Sequence, residues 1–293
     1  MSHDRFGLSV AISTPFDARA RIDLVKLIAH ARRCLKEGAD SITLFGTTGE
    51  GFAFSIAERA DTITAFKDAG FDMRRQVGIA IMATSIGDAV TQFEQGLAAD
   101  CRHFLLTPPF YTKGPTDDGI FDWHAALFAA LRGKARDVIV YNLPSQTAIA
   151  LSLDLIDRLK STFPAVIRGV KDSSSNLAFS QSLVSRHGDL AILIGDERHL
   201  ADIVRRGGQG AICGVANIAA ARLRRLVDTG QDDPAITSIV DAVCRYPVLP
   251  AIKAIIAQDS SDPAWSGMRA PLLPLSTADA AALYQRVRLH LAV

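Results

Sequence analysis

Short, nearly continuous apolar runs recur along the chain and alternate with longer stretches in which apolar residues return every three or four positions. The runs fall at residues 8–14, 41–45, 77–82, 103–107, 138–143, 167–172, 191–195 and 211–215. They are rich in β-branched residues and lack strict alternation, as expected of parallel strands covered on both faces. Their repeat of roughly 25 to 35 residues matches a strand followed by a crossover helix. Eight such units predict an α/β chain closed into a (β/α)8 barrel, the TIM-barrel architecture. The expected division is a barrel over residues 1–224 that carries the active site and a helical extension over residues 225–293 packed against it.

The intervening stretches carry helix signals. Ser55-Ile-Ala-Glu58 has the form of a capping box, in which a hydroxyl and a carboxylate satisfy the free N–H groups of the first turn, and a helix over 57–69 should follow. Over 23–37, Leu24, Leu27, Ile28, Ala31 and Leu35 form one apolar stripe that ends at Gly38, the mark of an outer helix resting on a core. From Asn217 onward the pattern stays helical, with interruptions expected at 230–234, 246–250 and 259–274. Nothing resembles a flexible linker, so the extension should pack and not swing.

Composition narrows the function. The chain has 293 residues, 48% of them hydrophobic and 22% charged, with a net charge of +1. It can bury a large core and offers no electrostatic reason to bind nucleic acid. Asp4 and Arg5 interrupt the start where a secretory signal needs an apolar stretch, and no apolar run approaches a membrane span. A soluble cytoplasmic protein without membrane contact is expected. Cys34, Cys101, Cys213 and Cys244 are scattered with no zinc-type spacing and read as buried free thiols. The histidines, His3, His30, His103, His124, His187, His199 and His290, show no paired ligand spacing, so no metal is expected.

In such a barrel the chemistry sits where the strands end. Lys171, in Ile167-Arg-Gly-Val-Lys171-Asp172, ends an apolar strand. Desolvation there would favour a neutral amine able to attack a carbonyl, whereas a pairing with Asp172 or another rim carboxylate would make it structural. Lys253, in Leu249-Pro-Ala-Ile-Lys253-Ala-Ile-Ile, is framed as hydrophobically, but on a helix its long stem can reach water. Tyr141, at the end of the preceding strand, should lie close to Lys171. A free phenol is a poor base at neutral pH, so it would need a hydrogen-bonded relay to carry protons, and it could instead be a rim residue. Gly46-Thr47-Thr48-Gly49-Glu50-Gly51 follows the second strand and could bring amides and hydroxyls to a carboxylate or phosphate, or simply turn the chain into the next helix. It matches neither nucleotide-binding glycine pattern. Thr107-Pro-Pro-Phe-Tyr111 presents two aromatics on a stiff loop, suited to a ligand or to a neighbouring subunit.

Taken in order, Gly46-Thr47-Thr48-Gly49-Glu50, Pro109-Phe110-Tyr111, Tyr141-Asn142-Leu143-Pro144, Gly169-Val170-Lys171-Asp172 and Gly210-Ala211-Ile212 through Ala216-Asn217 resemble the dihydrodipicolinate synthase and N-acetylneuraminate lyase family over about residues 7–220. The resemblance implies a class I aldolase with no cofactor other than its own lysine. Lys171 would form a Schiff base with pyruvate or another 2-oxo acid, and Thr48, with Gly46 and Gly49, would hold the carboxylate. Tyr141 would carry the proton, linked through Thr47 to Tyr111 of a neighbouring subunit in a homo-oligomer, tetramer or dimer. Ile212 would contribute a backbone contact behind the bound acid.

The resemblance also bears on the second substrate. Synthases of this family carry an arginine shortly after the Tyr-Asn-x-Pro segment, where it meets a substrate carboxylate; here the position is Gln146, which is neutral. Gly195-Asp196-Glu197 resembles the acidic pair with which sugar-acid lyases accept hydroxyl hydrogen bonds, although the two acids could merely cap a helix starting near Arg198. Lys171-Asp172-Ser173-Ser174 resembles the 2-oxo-3-deoxy sugar-acid aldolases, with Ser173 at the substrate. The expected activity is therefore a Schiff-base aldolase or dehydratase that forms or consumes pyruvate with a sugar acid or related oxo acid. The alternatives are a 4-hydroxy-tetrahydrodipicolinate synthase that condenses pyruvate with aspartate semialdehyde, a metal-dependent aldolase, and a non-catalytic oxo-acid sensor.

Overall fold

A computed structural model describes residues 5–291. Eight parallel strands, β1 (Gly7–Ala11), β2 (Ser41–Leu44), β3 (Val77–Ile81), β4 (Phe104–Leu106), β5 (Val138–Asn142), β6 (Ile167–Asp172), β7 (Ala191–Ile194) and β8 (Gly210–Cys213), pair in sequence order, and β8 closes back on β1. The helices around and after them are α1 (Leu24–Lys36), α2 (Ile56–Asp68), α3 (Met73–Gln76), α4 (Ile86–Ala98), α5 (Asp117–Ala130), α6 (Pro144–Thr147), α7 (Leu153–Thr162), α8 (Leu177–Arg186), α9 (Leu200–Arg205), α10 (Ala216–Thr229), α11 (Pro234–Val243), α12 (Val248–Asp259) and α13 (Thr277–Leu291). The expected (β/α)8 barrel with a helical extension is what the chain forms. The position 224/225 falls inside α10.

Apart from the exposed Arg168 of β6, each strand has two buried faces, which is why the runs read as continuous. One core lies between strands and helices; Leu27 and Ala31 of α1 belong to it, with Leu24, Ile28 and Leu35 packed along its edge. A smaller one, including Phe6, Leu105, Ile139, Leu193 and Ile212, fills the barrel interior. That interior is partly polar: Ser9 Oγ lies 2.8 Å from Thr43 Oγ1, which lies 2.9 Å from His103 Nε2. Gly78 makes room for this ring, because a Cβ there would sit 2.2 Å from it. Burial, with the charges of Arg102 and Lys171, pushes His103 down to about 3, so it is a neutral core residue.

The capping box forms as expected: Ser55 Oγ accepts from the N–H of Glu58, and the Glu58 carboxylate accepts from the N–H of Ser55. Closure at the site end rests on Asn217, whose amide accepts from the N–H of Ser13 and donates to the carbonyls of Ala11 and Gly214. Two expectations need correction. The interruption at 246–250 is shorter, because Pro250 lies in the first turn of α12, where a missing N–H costs no intrahelical hydrogen bond. Cys34, Cys101 and Cys213 are buried free thiols, but Cys244, just past the end of α11, is exposed. Among the described residues, no helix is long and apolar enough to cross a membrane.

Candidate active site

A cavity opens at the C-terminal ends of the strands, where parallel strands end and their loops begin. Lys171 on β6 points into it and is 4% exposed. Tyr141 is its register partner on β5, and the amine lies 4.1 Å from the centroid of the Tyr141 ring. The rival role for Lys171, an ion pair with Asp172, does not form. Successive residues of a strand face opposite sides, and the Asp172 carboxylate accepts instead from Asn142 Nδ2, Ser174 N and Oγ, and Ser180 Oγ. Lys171 makes no ion pair with any described residue. Close packing fixes its stem: a Cβ at Gly195 would stand 1.9 Å from Ser173 Oγ and 3.3 Å from Lys171 Cε.

Thr47 and Thr48 are half-buried and line the cavity opposite Lys171, with Ile212 between them and β7. Gly46 and Gly49 are buried in the turn behind. The N–H groups of Gly49 and Gly51 both donate to the carbonyl of Gly46, and a Cβ at Gly49 would lie 2.4 Å from the carbonyl oxygen of Ile12. The glycines of this loop thus serve tight packing, and neither Gly46 nor Gly49 lines the cavity. Ser173 and the exposed Gln146, on the short α6, complete the side of the cavity next to β5 and β6.

The acidic pair is engaged by the protein itself. Both oxygens of Asp196 accept from Arg198, which also reaches Asp241, and Asp196 caps the helical turn at Glu197–His199. Burial would raise the Asp196 carboxyl, but the Arg198 fork and a hydrogen bond from Ser175 together outweigh it and hold the carboxyl low. Glu197 is buried and accepts from the N–H of Val215, and burial raises its carboxyl. Tyr111 is brought to none of these residues within one chain; it is 84% exposed and lies outside the cavity lining.

Two parts of the site escaped the sequence reading. The outer wall consists of Val240, Val243, Cys244, Val248, Leu249 and Ile252, all from α11, α12 and the turn between them. Lys253 does not reach water: it is 0% exposed and paired at 2.9 Å with Glu50, also 0% exposed, of the glycine-rich loop. The signal was present, since residues 248–257 are apolar apart from Lys253 and a helix apolar all round leaves a lysine no route out.

The chain matches the sequence profile of the dihydrodipicolinate synthetase family over residues 4–288. It is 30% identical over 293 residues to an uncharacterized DapA-like lyase of Chloroflexus aurantiacus, covering 96% of each chain. It is 34% identical over 224 residues to a 4-hydroxy-tetrahydrodipicolinate synthase of Anaeromyxobacter sp. strain K, covering 75% of this chain and 73% of the other. A crystal structure of dihydrodipicolinate synthase from Agrobacterium tumefaciens superposes with a TM-score of 0.95 at 44% identity, covering 97% of this chain and 99% of that one.

Proposed function

We propose that this chain, which belongs to the dihydrodipicolinate synthetase family and is an enzyme of its Schiff-base class acting on 2-oxo acids, binds pyruvate covalently on Lys171 and joins it to an aldehyde. Family membership implies chemistry on a lysine, with no external cofactor needed. The observation that carries the reading is the Lys171 amine, unpaired among the described residues, set against the Tyr141 ring in a cavity that Thr47 and Thr48 also line.

In this reading the amine attacks the keto carbon of pyruvate, water leaves, and an iminium forms. The iminium draws electrons from the methyl carbon, which loses a proton to give an enamine. The enamine attacks an aldehyde carbon; hydrolysis of the new iminium frees the product and returns the amine. Thr47 and Thr48 hold the pyruvate carboxylate through hydroxyls and loop amides. Tyr141 passes the proton through Thr47. The exposed Tyr111 joins that relay from a second copy of the chain, so the working form is a homo-oligomer, acting in the cytoplasm.

For the aldehyde, the names of the similar proteins favour aspartate semialdehyde, the synthase reaction, over a sugar acid. The commitment of Asp196 to Arg198 weighs the same way, because it removes the carboxylate expected to accept polyol hydroxyls. One observation favours the second reading, cleavage of a 2-oxo-3-deoxy sugar acid: neutral Gln146 stands in the cavity where a carboxylate-bearing aldehyde would gain from a cation.

The test is borohydride reduction with pyruvate in the wild type and Lys171→Ala, read by intact-mass and peptide analysis. A single adduct on the Lys171 peptide, missing from the variant, is expected; no adduct with any of a panel of 2-oxo acids would refute the mechanism. Turnover with aspartate semialdehyde against a set of sugar acids then separates the two acceptors.

A further inference from the structure

The buried pair of Lys253 and Glu50 joins the helical extension to the loop that faces the substrate. Glu50 stands two residues after Thr48 in the left-handed conformation, φ 59° and ψ 31°. Its N–H donates to the carbonyl of Thr47 and its carbonyl accepts from the N–H of Ala53, so its backbone sets the curvature of the loop. A left-handed residue with a side chain needs outside restraint. Here the restraint is electrostatic. Oε1 takes Lys253 Nζ at 2.9 Å and Oε2 accepts the N–H of Arg269 at 3.0 Å. The ammonium also lies 4.4 Å from the centroid of the Phe16 ring.

The same helix approaches the loop from a second side. Ile252, next to Lys253, and Thr48 both lie 3.0 Å from the point where a Cβ on Gly214 would stand, and both line the cavity. Charge matters as much as shape. A buried carboxylate two residues from Thr48 and three from Thr47 opposes an incoming carboxylate, and Lys253 cancels it at short range. Burial pulls the Lys253 ammonium below the usual lysine range, and Glu50 counters that pull.

We propose that Lys253, acting through Glu50, is a positioning residue for carboxylate binding: it holds the Gly46-Thr47-Thr48 turn in shape and removes the negative charge behind it. This deepens the carboxylate-binding role given to that loop above and rests on it.

Full-length Lys253→Met, Glu50→Gln and the double variant are compared with the wild type for two quantities: the pyruvate concentration that half-saturates the borohydride-trapped adduct, and the melting temperature. Lys253→Met, which strands a negative charge, should raise half-saturation about tenfold or more. Glu50→Gln, which leaves a positive charge, should raise it less. The double variant, with no stranded charge, should melt closer to the wild type yet stay about threefold or more above it in half-saturation, because the turn has lost its restraint. The maximal trapping rate should change less than half-saturation does in every variant. If half-saturation returns to the wild-type value in the double variant along with the melting temperature, the turn keeps its shape without the pair and the proposal is overturned; the double variant decides this even if Lys253→Met does not fold. No adduct in the wild type would remove the Schiff-base reading and this proposal together, whereas a normal wild-type adduct with unchanged variants removes this proposal alone.

Discussion

Gly195→Ala probes how tightly the barrel holds its reactive amine. The added Cβ would lie 1.9 Å from Ser173 Oγ, 3.0 Å from Ser173 Cβ and 3.3 Å from Lys171 Cε, where an unstrained contact needs more than 3.4 Å. Rotation of the Ser173 hydroxyl relieves only the first overlap. Backbone movement is restricted, because Gly195 N donates to the carbonyl of Asp172 and Ser173 N to the carbonyl of Asn142, tying β5, β6 and β7 together. The lysine stem must therefore give by a few tenths of an ångström. Overpacking of this kind costs about 1–3 kcal/mol of stability. A misplacement of about 1 Å can cost about a hundredfold in rate, so the smaller shift here should slow adduct formation roughly tenfold, or about 1.4 kcal/mol. The assay is the rate of borohydride-trapped adduct at saturating pyruvate, with melting temperature alongside. Gly188→Ala is the control, since its nearest neighbour would be 3.7 Å from the new methyl. If Gly195→Ala traps pyruvate as fast as Gly188→Ala, crowding by Gly195 does not position Lys171.

Gln146→Arg should raise turnover with aspartate semialdehyde about tenfold or more while leaving pyruvate half-saturation unchanged, since it adds a charged fork worth about 1.5–3 kcal/mol on the acceptor side; no gain would mean that the acceptor carboxylate does not reach Gln146. The buried histidines predict a pH dependence of stability. Burial lowers His30 and His103 to about 3 and His124 to about 4, from 6.5 when unfolded. Between those values the unfolded chain binds protons that the folded chain refuses. Their contribution is thus complete above pH 6.5 and falls with pH, by up to about 1.4 kcal/mol per unit for each histidine. His124→Phe, in an aromatic cluster with Trp123 and Phe128, should lower that slope by one proton in denaturant titrations from pH 7 to 4, and an unchanged slope would contradict the assignment.

The strands were legible because a strand buried on both faces leaves a local trace. Residues 167–172 match β6 to the residue, and the other seven runs overlap their strands within a few positions. Lys171 and Tyr141 could be paired in advance because adjacent strands of a barrel bring their ends together. The role of Asp196 could not be chosen, since whether a carboxylate faces solvent, ligand or its own chain depends on where a flexible arginine settles, and Arg198 settled on it.

What the sequence by itself determined is what spacing and residue type encode locally: eight strand-and-helix units, an amine and a phenol at neighbouring strand ends, a glycine-rich turn, and a capping box. What only the tertiary structure decided is which distant groups share a low-dielectric interior. Glu50 and Lys253 are 203 residues apart in the chain, and each alone reads as a surface charge. Only the docking of α12 against the mouth of the barrel removes both from water, and burial then leaves each charge with the other as its stabilising partner.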